Sequence, residues 1–250
     1  MIDPDTIAAH RFTSIDSTSA EAARLYENGA PLPIVVLAGE QLKGRGRRGR
    51  YWVSKPGNLY STFAFPEISD RGDVAGYVFA STLAVRDAVS SLLPDDRRSQ
   101  IRIKWPNDVE YDGHKLSGIL LERYQRHNRE PAIFIGCGIN CAHAPDLSDR
   151  AVTSLAALNG NADVEICFAA LKQALAHWLS VYASDGLAPL RQAWLASARG
   201  LGEPIRVALA TETLDGVFEG LDESGQLMVR LSPHDLRTIS AGDIFFPDAA

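Results

Sequence analysis

Apolar residues along this 250-residue chain fall into blocks separated by turn formers, and the spacing within each block predicts its structure. Ile34–Ala38 is an unbroken apolar run with the length of a buried strand. Leu59–Phe65 mixes aromatic and β-branched residues between Pro56-Gly57 and Pro66, and reads as a second strand. Val74–Leu93 has the length and apolar face of a helix that Pro94 ends. Ile101–Lys104, Val109–Tyr111, Lys115–Glu122 and Ala132–Asn140 follow as strands, with Asp112-Gly113 a hairpin turn. An earlier helix starts at Asp16-Ser17-Thr18-Ser19, runs through Ala20–Tyr26 and stops at Asn28-Gly29. Two more are expected at Val164–Ala183 and Leu187–Ala198.

The pattern changes at Arg199-Gly200-Leu201-Gly202. Short strand candidates follow at Ile205–Leu209, Gly216–Leu221, Leu227–Leu231, Arg237–Ser240 and Asp243–Phe246. Glycine and Asp/Glu/Ser turns separate them, as in a small β-barrel of about 50 residues. The expected division is a domain over residues 1–199 and a second over 200–250. There are no internal repeats and no low-complexity segments.

Composition adds few constraints. Hydrophobic residues make up 46% and charged residues 22%, the proportions of an ordinary globular protein. The formal net charge of -6 argues against general nucleic-acid binding, for which a basic domain is expected. The N-terminus has early aspartates and no apolar core, unlike a secretory signal. No apolar stretch reaches the roughly 20 residues that span a bilayer. Three cysteines, Cys137, Cys141 and Cys167, form no Cys-x-x-Cys pair, so a reduced, cytoplasmic protein is expected. Cys137 and Cys141 with His143 could hold a metal, but buried apolar cysteines are the commoner case.

Against this acidic background one basic run stands out. Residues 43–50, Lys-Gly-Arg-Gly-Arg-Arg-Gly-Arg, carry five positive charges on a glycine-rich backbone able to approach a ligand closely. Gly44-x-Gly46-x-x-Gly49 matches the dinucleotide-binding spacing and follows a strand. However, Tyr51–Gly57 leads to another strand, so no helix N-terminus is available to hold a pyrophosphate. A loop joining two core strands fits a small anion better than the low-complexity tails that grip nucleic acid.

Lys104-Trp105-Pro106-Asn107-Asp108 can present an indole, an amide and a carboxylate at one strand end, as an adenine or ribose pocket requires, or can be a turn with a buried tryptophan. Lys115 shares strand parity with Ser117, Ile119 and Leu121, which predicts an ammonium at a cavity mouth. Gly136 and Gly138 mark close approach of a ligand or of backbone. Asn140 could read a base edge or cap a turn. The six histidines are scattered and build no Ser-His-Asp or Cys-His grouping.

Taken in order, Asp16-Ser17-Thr18, Gly39-Glu40-Gln41 leading into Gly44–Arg50, Trp52, Gly57–Tyr60, Lys104–Asp108, Lys115–Glu122 and Gly136–Asn140 resemble the biotin protein ligases over nearly the whole chain. The resemblance implies an α/β (α+β) catalytic domain with a mixed sheet and a C-terminal SH3-like barrel. It implies ATP and biotin as substrates, with magnesium, and a two-step reaction. Biotin is first activated as biotinyl-5′-AMP, then passed to a lysine of a biotin carboxyl carrier domain of a biotin-dependent carboxylase.

By the same resemblance Arg47 and Lys115 are the catalytic cations at the carboxylate and α-phosphate. Ser17, Thr18, Ser19, Gln41, Arg45 and Gly46 join them around biotin. Arg48, Arg50, Trp52, Lys104, Asn107, Asp108, Gly118 and Asn140 are expected at ATP or the adenylate, with Asp108 also a candidate for magnesium. Ser19 stands where the family often has Asn. The catalytic region starts near residue 11, so no DNA-binding domain, repressor activity or nucleic-acid partner is expected; nor is a membrane, and a homodimer stays open. The alternatives are a lipoate or octanoate ligase or transferase of this fold, and a regulator that holds an adenylate without turnover. The arginine loop is expected to stay mobile until biotin or the adenylate binds, and its ordering to shield the intermediate from water.

Overall fold

Two sheets organise the chain, and the computed structural model describes residues 2–68, 74–127, 129–146 and 150–247. The larger sheet has strands β1 (Ala8–Ile15), β2 (Ile34–Gln41), β3 (Leu59–Pro66), β4 (Ile101–Lys104), β5 (Asp108–Tyr111), β6 (His114–Tyr124) and β7 (Ala132–Ile139). Their order is β1-β2-β3-β7-β6-β5-β4; β1 and β2 are parallel and every other pair is antiparallel. This is the mixed sheet that the sequence leads one to expect.

At β2 both faces of the sheet are covered, which is why this strand reads as a continuous apolar run. Val35 and Leu37 enter the main core, beneath α2 (Ala75–Ser91), α4 (Val164–Asp185) and α5 (Leu187–Ala196). Ile34 and Val36 point the other way and pack with Ala22 and Tyr26 of α1 (Thr18–Glu27). A single ten-residue helix leaves much of that second face uncovered. The vacant area lies over β6 and β7, and the site is there.

Two elements escape the hydrophobic pattern. β1 sits at the sheet edge with Ala8, Ala9, Arg11, Thr13 and Ser14 exposed, so its pairing to β2 rests on backbone hydrogen bonds that leave no apolar signature. α3 (Asp95–Arg98) is one turn of charged residues after Pro94.

The smaller sheet holds β8 (Pro204–Ala208), β9 (Thr213–Leu221), β10 (Leu227–Ser232), β11 (Asp235–Ile239) and β12 (Asp243–Phe245). It is antiparallel, in the order β11-β10-β9-β8-β12. Val207, Phe218, Leu227 and Val229 are fully buried within it. The two sheets share a seam: Trp194 of α5 lies 5.5 Å from Phe79 and 6.5 Å from Phe218 between ring centroids. At the start of the smaller unit, Gly200 has a φ of +77°, and Phe246 lies against it.

Cys137, Cys141 and Cys167 are buried in the main core. All three are free thiols, and the His143 ring bonds the Pro56 carbonyl at 2.9 Å, so these residues do not converge on a metal. Among the described residues no helix is long and apolar enough to cross a membrane.

Candidate active site

A cavity of about 650 Å³ opens on the uncovered face of the sheet. Its floor is made of glycine. Gly118 and Gly138 are paired across β6 and β7, and Gly136 lies beside them opposite Leu120. A Cβ on Gly118 would lie 2.9 Å from the Trp52 ring, and one on Gly138 would lie 2.6 Å from it. The indole therefore rests directly on the backbone, an approach that only glycine permits. Trp52 Nε1 is buried there without a hydrogen-bond partner.

One end of the cavity is a hydroxyl pocket at the N-terminus of α1. Ser17 is the N-cap residue, but its side chain makes no capping bond. Gln41 takes that role from β2: its Oε1 accepts from Thr18 N at 2.8 Å and from Thr18 Oγ1 at 3.0 Å. Its Nε2 donates to Ser54 Oγ at 2.9 Å. Thr62 Oγ1 donates to Thr18 Oγ1 at 2.8 Å and lies 3.3 Å from Ser19 Oγ. The Ser17 hydroxyl is thus left over for a ligand, at a helix end where unpaired N–H groups favour acceptor atoms.

The cationic centre forms at the other side of the glycine floor. Lys115 Nζ lies 2.6 Å from Asp108 Oδ1 and 5.2 Å from the Trp52 ring centroid. Strand parity mispredicts its neighbours. Glu110 pairs with Lys115 while Val109 pairs with Ser117, so Leu116 is an extra residue in β6 and its side chain is buried. This bulge turns Lys115 away from the face of Ser117 and Ile119 and lays its ammonium over Gly118. Arg47 reaches the same centre, donating to Asn107 Oδ1 at 3.0 Å. Burial is the largest influence on Arg47 and lowers its pKa; Asp243 raises it, Arg48 lowers it and Asp108 raises it.

The arginine run is a folded arm rather than an open loop. Gly46 N donates to Arg50 O at 2.8 Å, and Trp52 N donates to Gly44 O at 2.9 Å. A short 3-10 turn, Arg47–Gly49, closes its tip, with Arg48 at φ +54° and Gly49 at φ +72°. Here a carboxylate of the protein itself meets three of the arm's arginines. Asp243, on β12, lies 3.7 Å from Arg47, 3.2 Å from Arg48 and 3.2 Å from Arg50. On the opposite side Arg45 is paired with Glu122 of β6.

Nearly every residue singled out in the sequence borders this cavity, from Ser17, Thr18, Ser19 and Gln41 through Arg45, Gly46, Arg47, Arg50 and Trp52 to Lys104, Asn107, Asp108, Lys115, Gly118 and Asn140. Arg48 does not line it and is held instead by Asp243. Asn140 donates its amide to Thr153 O at 2.9 Å. Trp105 borders the cavity but is 4% exposed and belongs to the main core, whereas the Trp52 indole lies over the glycine floor. Lys104 is drawn to Glu110 at 3.6 Å and lies over the Phe245 and Phe246 rings, with Arg199 bonded to the other oxygen of Glu110 at 2.6 Å. The sequence reading gives Asp243, Glu110, Arg199 and Phe246 no place at the site. Nothing in their local pattern signals that the smaller sheet closes one wall of the site.

Over residues 11–140 the chain matches the biotin/lipoate A/B protein ligase family, and over residues 200–246 the biotin protein ligase C-terminal domain. This chain is a biotin protein ligase. The biotin--[acetyl-CoA-carboxylase] ligase of Paracoccus denitrificans is 38% identical over 237 residues, spanning 92% of this chain and 97% of that one. The bifunctional ligase/repressor BirA of Bacillus subtilis is 30% identical, over 92% of this chain and 71% of its own length. In the solved structures, the Aquifex aeolicus biotin protein ligase in complex with biotin and ATP superposes with a TM-score of 0.78 at 24% identity. That alignment covers 95% of the ligase described here and 97% of the Aquifex chain, so the two-sheet architecture is common to both.

Proposed function

We propose that the ligase activates biotin with ATP at the Lys115–Arg47 centre and passes it to a lysine on a carboxylase carrier domain. The observation that carries this reading is one cavity with a hydroxyl pocket at one end, a glycine floor overlaid by the Trp52 indole, and two converging cations. Biotin's ureido ring fits the pocket of Ser17, Thr18, Ser19 and Gln41, with Arg45 and Gly46 closing over it, and its carboxylate then reaches toward Lys115. Trp52, Arg50, Asn107, Gly118 and Asn140 border the space left for the adenylate.

A carboxylate attacking a triphosphate brings like charges together. Lys115 and Arg47 oppose that repulsion from fixed positions, because Asp108 holds one and Asn107 the other. In the first step a carboxylate oxygen bonds to the α-phosphorus, and the bond to the β-phosphate breaks to release pyrophosphate. In the second the acceptor amine attacks the acyl carbon, AMP leaves with the bonding pair, and the surplus proton passes to water. Magnesium is an expected companion of the triphosphate. Among the described residues no group of three or more His, Cys, Asp or Glu is placed to hold a metal, and Asp108 is engaged by Lys115. No step is assigned to the ion.

The test is exchange of labelled pyrophosphate into ATP with biotin, lipoate or octanoate as the acid. Exchange with biotin alone is expected. Lys115→Ala should remove roughly 3–4 kcal/mol of transition-state stabilisation and lower the rate by about 10²–10³. Exchange driven equally by lipoate would favour the lipoate alternative, and binding of biotin and ATP without exchange would leave a regulator.

A further inference from the structure

We infer that Glu122 is a latch: through Arg45 it holds the arginine arm shut over the activated intermediate, and so sets how long the adenylate is sheltered before an acceptor arrives. Glu122 lies two positions beyond Leu120 and four beyond Gly118 along β6, so strand alternation places it on the face that carries the cavity floor. It does not border the cavity, whereas Arg45 does. Glu122 therefore acts on the site only through the arm and is a positioning residue.

The pairing has features that an ordinary surface ion pair lacks. The Glu122 side chain is 22% exposed against 45% for Arg45. Its Oε1 takes the Arg45 guanidinium, and its Oε2 is buried with no other partner. If the arm lifts, Glu122 is left partly buried and uncompensated, so the closed position is favoured by the carboxylate's own need for a partner. The arm has a second tether at Asp243, on the smaller sheet. It is thus fastened on both sides of the cavity, to β6 by Arg45 and to β12 by the other three arginines.

The chemistry makes such a fastening useful. An acyl adenylate exposed to water is lost when water attacks the acyl carbon: the carbon–oxygen bond to phosphate breaks, AMP departs with the electron pair, and free biotin and a proton remain. A closed arm excludes that water. Because this rests on the adenylate-forming reading, formation and retention must be measured separately.

The full chain and its Glu122→Gln and Glu122→Asp variants should be compared in two assays. One is biotin-dependent pyrophosphate exchange, which reads formation. The other is steady-state AMP release with biotin, ATP and pyrophosphatase but no acceptor protein, which reads escape or hydrolysis. Glu122→Gln should keep exchange within about twofold while acceptor-free AMP release rises about tenfold, and Glu122→Asp should restore much of the retention. In the unaltered chain, release should rise as salt goes from about 0.02 M to 0.5 M, since a half-exposed pair is screened. Unchanged release in Glu122→Gln, or release in the unaltered chain that is insensitive to salt, would overturn the latch. So would exchange and release falling together, which would give Glu122 a role in formation or folding. Absence of exchange in the unaltered chain would instead remove the ligase reading itself.

Discussion

Gly138→Ala isolates the glycine floor from the rest of the fold. The backbone at Gly138 is not in the left-handed region, so alanine is conformationally acceptable, and in a strand it gains roughly 0.5–1 kcal/mol over glycine. The added methyl would lie 2.6 Å from Trp52 Cε2 and Nε1 and 2.8 Å from Cζ2, inside any ordinary contact distance. The indole must retreat by several tenths of an ångström. Overpacking of that size typically costs about 1–3 kcal/mol. Trp52 belongs to the arm rather than to a packed layer, so most of that cost should appear as displacement of the arm. Displacement of about 1 Å at a positioned group lowers turnover by about 10². Pyrophosphate exchange should therefore fall about a hundredfold, while the melting temperature stays within about 4 °C, the shift expected for about 1 kcal/mol in a chain of this size. Exchange within threefold of the parent would refute the floor as a close-approach surface. A melt lowered by 10 °C or more would show that the methyl disrupts the sheet instead.

Three further outcomes follow from the geometry. Asp243→Asn removes the carboxylate shared by Arg47, Arg48 and Arg50, so limited proteolysis within residues 44–50 should accelerate and exchange should slow by at least threefold; equal cleavage would mean the three contacts do not hold the arm. Gly200→Ala forces a φ of +77° on an L-residue and sets its methyl 2.1 Å from Phe246 Cε1, which should destabilise by about 2 kcal/mol or more in a denaturant titration. Burial pushes the Cys137 thiol up from 9.0 to about 12. The unfolded chain then ionises this thiol first, so its contribution to stability is complete below about pH 9 and is lost as the pH rises toward 12. An alkylating agent at pH 8 should leave Cys137 unmodified until the chain is denatured, and rapid labelling of the native protein would contradict this burial.

Much of the site was legible because its chemistry is local. Five cations on a glycine-rich run, the Lys104–Asp108 block and Lys115 announce themselves by type and spacing, and the fold gathers all but Lys43 and Arg48 along one cavity. What the sequence could not show depends on distant partners. Asp243 is an ordinary residue at the start of a strand until β12 brings it beside the arm. Glu122 closes a strand that alternation describes well, yet its partner lies 77 positions away. Trp105 and Trp52 both looked able to stack, and only burial separates them.

The elements whose residues face a core on a regular period were fixed by composition and spacing alone: β2, β3, β6, β7, the long helices and the change of pattern near residue 200. The reason is that apolar burial leaves a local record, a continuous run in β2 and β3 where both faces are covered and a repeat along elements with one buried face. β1 left no such record, being an edge strand held by backbone bonds. The bulge at Leu116 inverted a face that the period of two had assigned, because one inserted residue shifts every later side chain. The closure of the arm came from tertiary structure alone. Like charges in sequence repel, and only the folded chain supplies the two carboxylates that hold them in place.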